Sequence, residues 1–138
     1  MKMKHILAGF AASLMFVLPT MADDEDTPLA EQMDAMNGAY KAMRRETDPA
    51  KGAALAREAQ DAVAKAITMT PELVEAMPDG ADKAKASAEY RKMMGLLFAT
   101  LADMELAFLD GDMDKVKEVV ATMRASKKEA HNQFMEDD

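Results

Sequence analysis

Apolar positions recur along this chain at spacings of three and four, and Pro or Gly interrupts them at intervals of about one helix. Thr27 is a candidate N-cap with Pro28 at the first helical position, where a missing N–H costs nothing. Leu29, Met33, Met36, Tyr40 and Met43 then follow at spacings of 4, 3, 4 and 3, the seam of a packed helix. Arg44 and Arg45 suit the negative end of its dipole. Asp48-Pro49 repeats the cap-then-Pro start, and the pattern predicts a second helix to about Thr68, with Leu55, Ala59, Ala62, Val63, Ala66 and Ile67 inward. Met69 to Gly80, with two prolines, reads as a connection containing one helical turn at residues 71–75.

A third helix is expected from near Asp82, with Tyr90, Met94, Leu97, Leu101, Met104 and Phe108 on its seam. Gly111 ends it by supplying a left-handed residue. Asp112 caps a fourth helix, with Met113, Val116, Val120, Met123, Ala130 and Phe134 inward and a frayed end at Met135 to Asp138. Four amphipathic helices with short links predict an all-α fold, an antiparallel up-down-up-down four-helix bundle. None of them buries its stripe alone, so the four stripes must be buried together.

Residues 1–22 stand apart from this pattern. Lys2 and Lys4 precede an apolar run from Ile6 to Leu18, too short to span a bilayer comfortably, and small residues lead up to Ala22. They read as a signal peptide cleaved after Ala22, which puts the mature domain at residues 23–138 and its location in the periplasm. Removing two lysines leaves 15 basic against 25 acidic side chains, a formal charge of −10. That balance excludes nucleic acid as a partner, because phosphate binding needs a basic face. No membrane association is expected after cleavage, and a monomer is expected. The 138 residues contain no cysteine, which excludes disulfides, thiolate metal sites and a covalently attached haem. With no Trp and 5% aromatics, the core must be aliphatic side chains, Ala and some of the 15 Met.

His131 is the one histidine outside the export segment. At about 100° per residue it lies roughly 20° from Val120 and 40° from Lys127, which turns it toward the seam near the end of the fourth helix. Met33 lies on the seam of the first helix near its start. In an up-down bundle the start of helix one and the end of helix four are neighbours at one end, so the two residues face each other at comparable depth. A thioether opposite an imidazole is an axial pair that raises the potential of a haem iron. Taken singly, Met33 reads as core packing and His131 as a half-buried histidine beside a helix C-terminus. Only the pairing favours haem. A haem-free periplasmic bundle with a binding or stress role is the alternative, and a Cu(I) site on Met33 and Met36 is a third reading. The sequence has no Ser–His–Asp set, no phosphate-binding Gly loop and no His–carboxylate cluster, so an enzyme is not expected.

At this point the chain resembles the soluble periplasmic cytochrome b562 family. Leu29 to Met36 is similar to the start of that family's first helix, with Met33 at its axial methionine. Glu89-Tyr90-Arg91 followed by Met94 and Leu97 resembles the haem-facing part of its third helix. Ala130 to Phe134 resembles the terminal segment with its axial histidine, and the spacing from Tyr90 through Gly111 to His131 is ungapped. Three positions depart from the pattern: Ala130 replaces an aromatic, Lys127 an arginine and Met94 a second aromatic. The resemblance implies one non-covalent haem b, exposed at its edge and ligated by Met33 and His131. It also implies one-electron transfer to an unidentified redox partner protein. Tyr90, Met94 and Ile67 would line the pocket, Leu73 or Met77 would cover it, and Lys127 and Arg124 would face the propionates.

Overall fold

The computed structural model describes residues 27–134. Residues 1–22, read from the sequence as an export segment, and Met135 to Asp138, expected to fray, lie outside those residues. Among the described residues the chain forms five helices: α1 (Pro28–Arg45), α2 (Pro49–Ala66), α3 (Glu72–Glu75), α4 (Ala81–Leu109) and α5 (Met113–Phe134). Four are long, and α3 is the single turn expected in the second connection.

Local chemistry sets each boundary. Thr27 Oγ1 accepts from the Ala30 N–H at 3.1 Å, and Asp48 Oδ2 from the Lys51 N–H at 3.0 Å, with Pro28 and Pro49 directly after these caps. Asp112 Oδ1 accepts from the Lys115 N–H at 3.0 Å and starts α5. The end of α4 is a Schellman motif. The Asp112 N–H reaches the Ala107 carbonyl at 3.0 Å and the Gly111 N–H reaches Phe108 at 2.9 Å, with Gly111 at φ 69°. The second helix ends at Ala66, short of the expected Thr68, because the Thr68 N–H and hydroxyl both turn back to the Lys65 carbonyl.

Helix α2 packs extensively against both α1 and α4, α5 packs on α4, and α3 covers the N-terminal part of α4. Helices α2 and α4 run antiparallel: Ala66 meets Tyr90, Gln60 meets Leu101 and Glu105, and Gly52 meets Phe108. The buried face of α2 is mostly small, with Ala53, Ala56, Ala59, Ala62 and Ala66 beside Gly52, Gln60 and Val63, which lets the larger residues of its neighbours fill the interior. Met43, Met94, Leu101, Met104 and Phe108 are sealed there. Full burial of such side chains contributes about 1.5–3 kcal/mol each. At Gly52 the Phe108 ring lies where a β-carbon would be. Gln60 is the one polar side chain buried in the described core. Its Nε2 donates to the Ala56 and Leu101 carbonyls and to Glu105 Oε1 at 2.8 Å, which ties α2 to α4.

Two assignments change. On α5 the buried valine is Val119, with Val116 and Met123, while Val120 is half-buried at the margin of the core. Both valines satisfy the seam spacing, and packing on α4 selects the first. Leu29, Met33, Leu55, Ile67, Leu97 and Met113 also lie at the margin, packed on the core and partly open to solvent. The inward placing of the Ala130 and Phe134 side chains lies outside what the structure describes. A second, smaller core of Val74, Met77 and Ala86 joins α3 to the part of α4 that extends past α2.

Candidate functional site

The sequence places its candidate chemistry where α1 and α5 approach each other. Lys127 makes that approach visible: its Nζ donates to Asn37 Oδ1 at 3.1 Å and lies 5.7 Å from the centroid of the Tyr40 ring. Arg44 covers the same ring at 5.4 Å. Met33 lies one turn before Asn37 on α1, and His131 one turn beyond Lys127 on α5. One turn of α-helix is about 5.4 Å, so each residue is a short step from the Lys127–Asn37 contact.

Met33 differs in environment from the methionines beside it. Met36 and Met43 are buried in the main core, whereas Met33 packs against that core and stays half-buried. Of the Met33–Met36 pair considered for Cu(I), only Met33 is at the margin.

Tyr90 is buried on α4, and its hydroxyl donates to the Ala66 carbonyl at 2.7 Å. Burial pushes this phenol up from 10.0 to about 12, so it stays neutral across the physiological range. Met94 lies one turn further along α4 and is fully buried. Ile67, just past α2, is half-buried against the main core, and Leu73 is half-buried in α3. Met77 is enclosed with Val74 and Ala86 in the smaller core, so of the two covering candidates Leu73 is the less committed. Arg124 is exposed.

Tyr40 has no counterpart among the sequence expectations beyond its seam position. Its ring is 5% exposed and its hydroxyl is buried, with no hydrogen-bond partner among the described residues. A buried hydroxyl left unpaired costs about 1–3 kcal/mol. Asn37 was also missed. It sits four residues after Met33, which puts both on one face of α1.

This donor set suits a haem. A neutral thioether and an imidazole are an axial pair for iron, Met33 is at an accessible margin, and the unpaired Tyr40 hydroxyl leaves hydrogen-bonding capacity between the same two helices. No group of three or more His, Asp or Glu positioned to hold a metal ion occurs among the described residues. No helix among them is long and apolar enough to cross a membrane.

A family model described as Cytochrome b562 matches residues 28–135, from the first residue of α1 to just past the end of α5. No curated protein and no solved structure matches the chain.

Proposed function

The chain belongs to the cytochrome b562 family of haem-binding electron-transfer proteins, and we propose that it is a soluble periplasmic electron carrier with one non-covalent haem b between Met33 and His131. In this reading residues 1–22 are a signal peptide, and α1, α2, α4 and α5 form an antiparallel up-down-up-down bundle. The three-residue links after α1 and α4 support that arrangement, as does the antiparallel pairing of α2 with α4.

The observation that carries the reading is the bond from Lys127 to Asn37. With α1 and α5 running in opposite directions, one turn back from Asn37 and one turn on from Lys127 lead along the two helices to Met33 and His131 at one level of the bundle, which supports their assignment as a pair. When bound, the haem supplies reversible one-electron chemistry. The Met33 thioether, a soft and neutral donor, would favour the reduced iron and raise its potential, and the His131 imidazole would be the second protein donor to it. With Met33 and His131 both holding the iron, no position would be left for oxygen or a substrate, so the role would be transfer of electrons and not catalysis. Tyr90 contributes a neutral wall, because its proton is committed to Ala66. Lys127, which donates to Asn37 Oδ1, would pair with a propionate. The absence of cysteine leaves ligation and packing as the means of retention.

The test is a visible absorption spectrum of the purified protein supplied with haem, oxidised and then reduced. A six-coordinate low-spin spectrum at one haem per chain is expected. A chain that takes up no haem overturns the reading in favour of a haem-free bundle. N-terminal sequencing of exported protein should begin at Asp23, and a chain that retains Met1 overturns the export assignment.

A further inference from the structure

The acidic balance of the chain hides a basic flank. Lys41, Arg44 and Arg45 on α1 and Arg124, Lys127 and Lys128 on α5 are all exposed. At about 100° per residue the three on α1 fall inside an arc of roughly 100° that also holds Asn37. Along α1 the acids Glu31 and Asp34 come before Asn37 and these bases after it. The three on α5 fall inside a second arc of about 100°, and the acids of that helix, Asp114, Glu118 and Glu129, keep to a separate arc of about 60°. The Lys127–Asn37 bond joins the two basic arcs, and Arg44 and Lys127 both lie over the Tyr40 ring. All six bases lie within about 12 Å of that bond, measured along their helices. None of the six makes an ion pair with another described residue. The ion pairs there join Arg57 to Glu105, Lys83 to Asp79 and Lys115 to Glu118. Outside residues 1–22 the chain has 15 bases and 25 acids, so nine bases are left to offset those acids everywhere else.

We infer that this flank is the docking surface for the redox partner, and that the partner presents a patch of Asp and Glu side chains to it. The inference rests on the electron-carrier reading above and adds the chemistry of the partner. Met33 is one turn before Asn37 and His131 one turn beyond Lys127, so a protein seated here lies beside the proposed iron ligands. Six cations without carboxylate partners repel one another. Acidic side chains from outside relieve that repulsion, while the acid-rich remainder of the surface turns the same partner away, so one orientation is favoured. The large exposed apolar side chains of the described residues, Leu96, Phe98, Leu106 and Leu109, are all on α4. The flank thus offers charge and little apolar area. That fits the small contact of a transient electron-transfer complex, held by long-range attraction and quick to part. A lipid surface would call for large apolar side chains beside the cations to enter the headgroup layer, and the described residues of α1 and α5 expose none.

Oxidation of the reduced, haem-loaded protein by ferricyanide, a trianion, tests this through the effect of salt. A molecule of net charge −10 repels that reagent, so salt speeds a reaction governed by net charge. A reaction at the basic flank should instead slow, by about threefold or more between about 10 mM and 300 mM ionic strength. Lys41→Glu combined with Lys128→Glu should reverse the sign of the salt effect. Lys85→Glu combined with Lys92→Glu, exposed on α4 and equal in net charge change, should keep it. A wild-type rate that rises with salt overturns the proposal, as does a Lys41→Glu, Lys128→Glu protein that behaves as wild type. A second measurement needs no haem. A short glutamate-rich peptide titrated into the purified protein at low salt should shift amide resonances of residues 37–45 and 124–128. No shift, or shifts centred on α4, overturns the proposal even where haem binds normally. A protein that takes up no haem yet seats the peptide on this flank overturns the electron-carrier reading and leaves an acidic partner of another kind. Tighter binding of phosphatidylglycerol vesicles or of a short oligonucleotide than of the peptide assigns the flank to phosphate and overturns the proposal.

Discussion

The Tyr90 hydroxyl donates to the Ala66 carbonyl across 2.7 Å and so fastens α4 to the last turn of α2. The same carbonyl also accepts from the Met69 N–H at 3.0 Å, so it keeps one partner if the phenol is removed. Tyr90→Phe should therefore cost only about 0.5–1.5 kcal/mol, measured by urea denaturation at pH 7.

The pH dependence of that variant is more telling. Tyr90 holds its proton to about pH 12 when folded, against 10.0 for an ordinary tyrosine, because burial disfavours the phenolate. Above pH 10 the unfolded chain binds fewer protons than the folded one, so stability falls as pH rises. The contribution is intact below pH 10 and is lost through pH 12, to a total of about 2–3 kcal/mol. Tyr90→Phe should flatten this part of the stability profile between pH 9 and 11.5. Parallel profiles for the two proteins would count against a buried phenol.

Two glycines should respond with opposite signs to the same change. Gly52→Ala places a β-carbon on the Phe108 ring, and the clash should outweigh the helix-propensity gain by about 1–2 kcal/mol. Gly38→Ala on α1 meets nothing within 4 Å and should stabilise by about 0.5–1 kcal/mol. Thermal melts of the pair check both.

Leu101 is sealed between α4 and its neighbours, and Leu101→Ala should cost about 2–5 kcal/mol. Leu97→Ala, on the same expected seam but half-buried, should cost clearly less. Equal losses at the two positions would place the core face of α4 differently.

Much of this architecture can be read in the chain. The caps at Thr27, Asp48 and Asp112, the prolines after the first two, and Gly111 are chemical signals confined to a few residues, and they mark helix starts and ends without reference to the rest of the fold. What cannot be read depends on neighbours. Val119 and Val120 both fit a seam of three and four, and the choice between them belongs to the surface of α4. Gln60 sits among alanines with nothing local to mark it as buried; its partners are 41 and 45 residues away. On α4 the seam spacing marks one face, while Leu96, Phe98, Leu106 and Leu109 are apolar yet exposed, which a spacing count does not separate from core positions. The proposed donor pair rests on residue types, whereas the Lys127–Asn37 contact between α1 and α5 has no signal in the sequence.

The proposed iron ligands give the most direct variants. Met33→Ala should leave a bound, five-coordinate haem that takes up carbon monoxide and has a lower midpoint potential, since a donor favouring the reduced iron is gone. His131→Ala should lose six-coordination and most haem retention. Both proteins should remain helical by circular dichroism. A Met33→Ala protein with the wild-type spectrum and potential would remove Met33 from the iron.

The small core of Val74, Met77 and Ala86 is separate from the main one, and it holds down the part of α4 that projects beyond α2. Two cores of unequal size imply two tiers of opening. Amide hydrogens of α3 and of residues 81–88 should exchange with solvent at a lower free energy than those around Leu101 and Met104. A chain built this way can unlatch the end nearest Tyr90 while the rest stays folded, which would give a bulky planar guest a path into an already assembled protein.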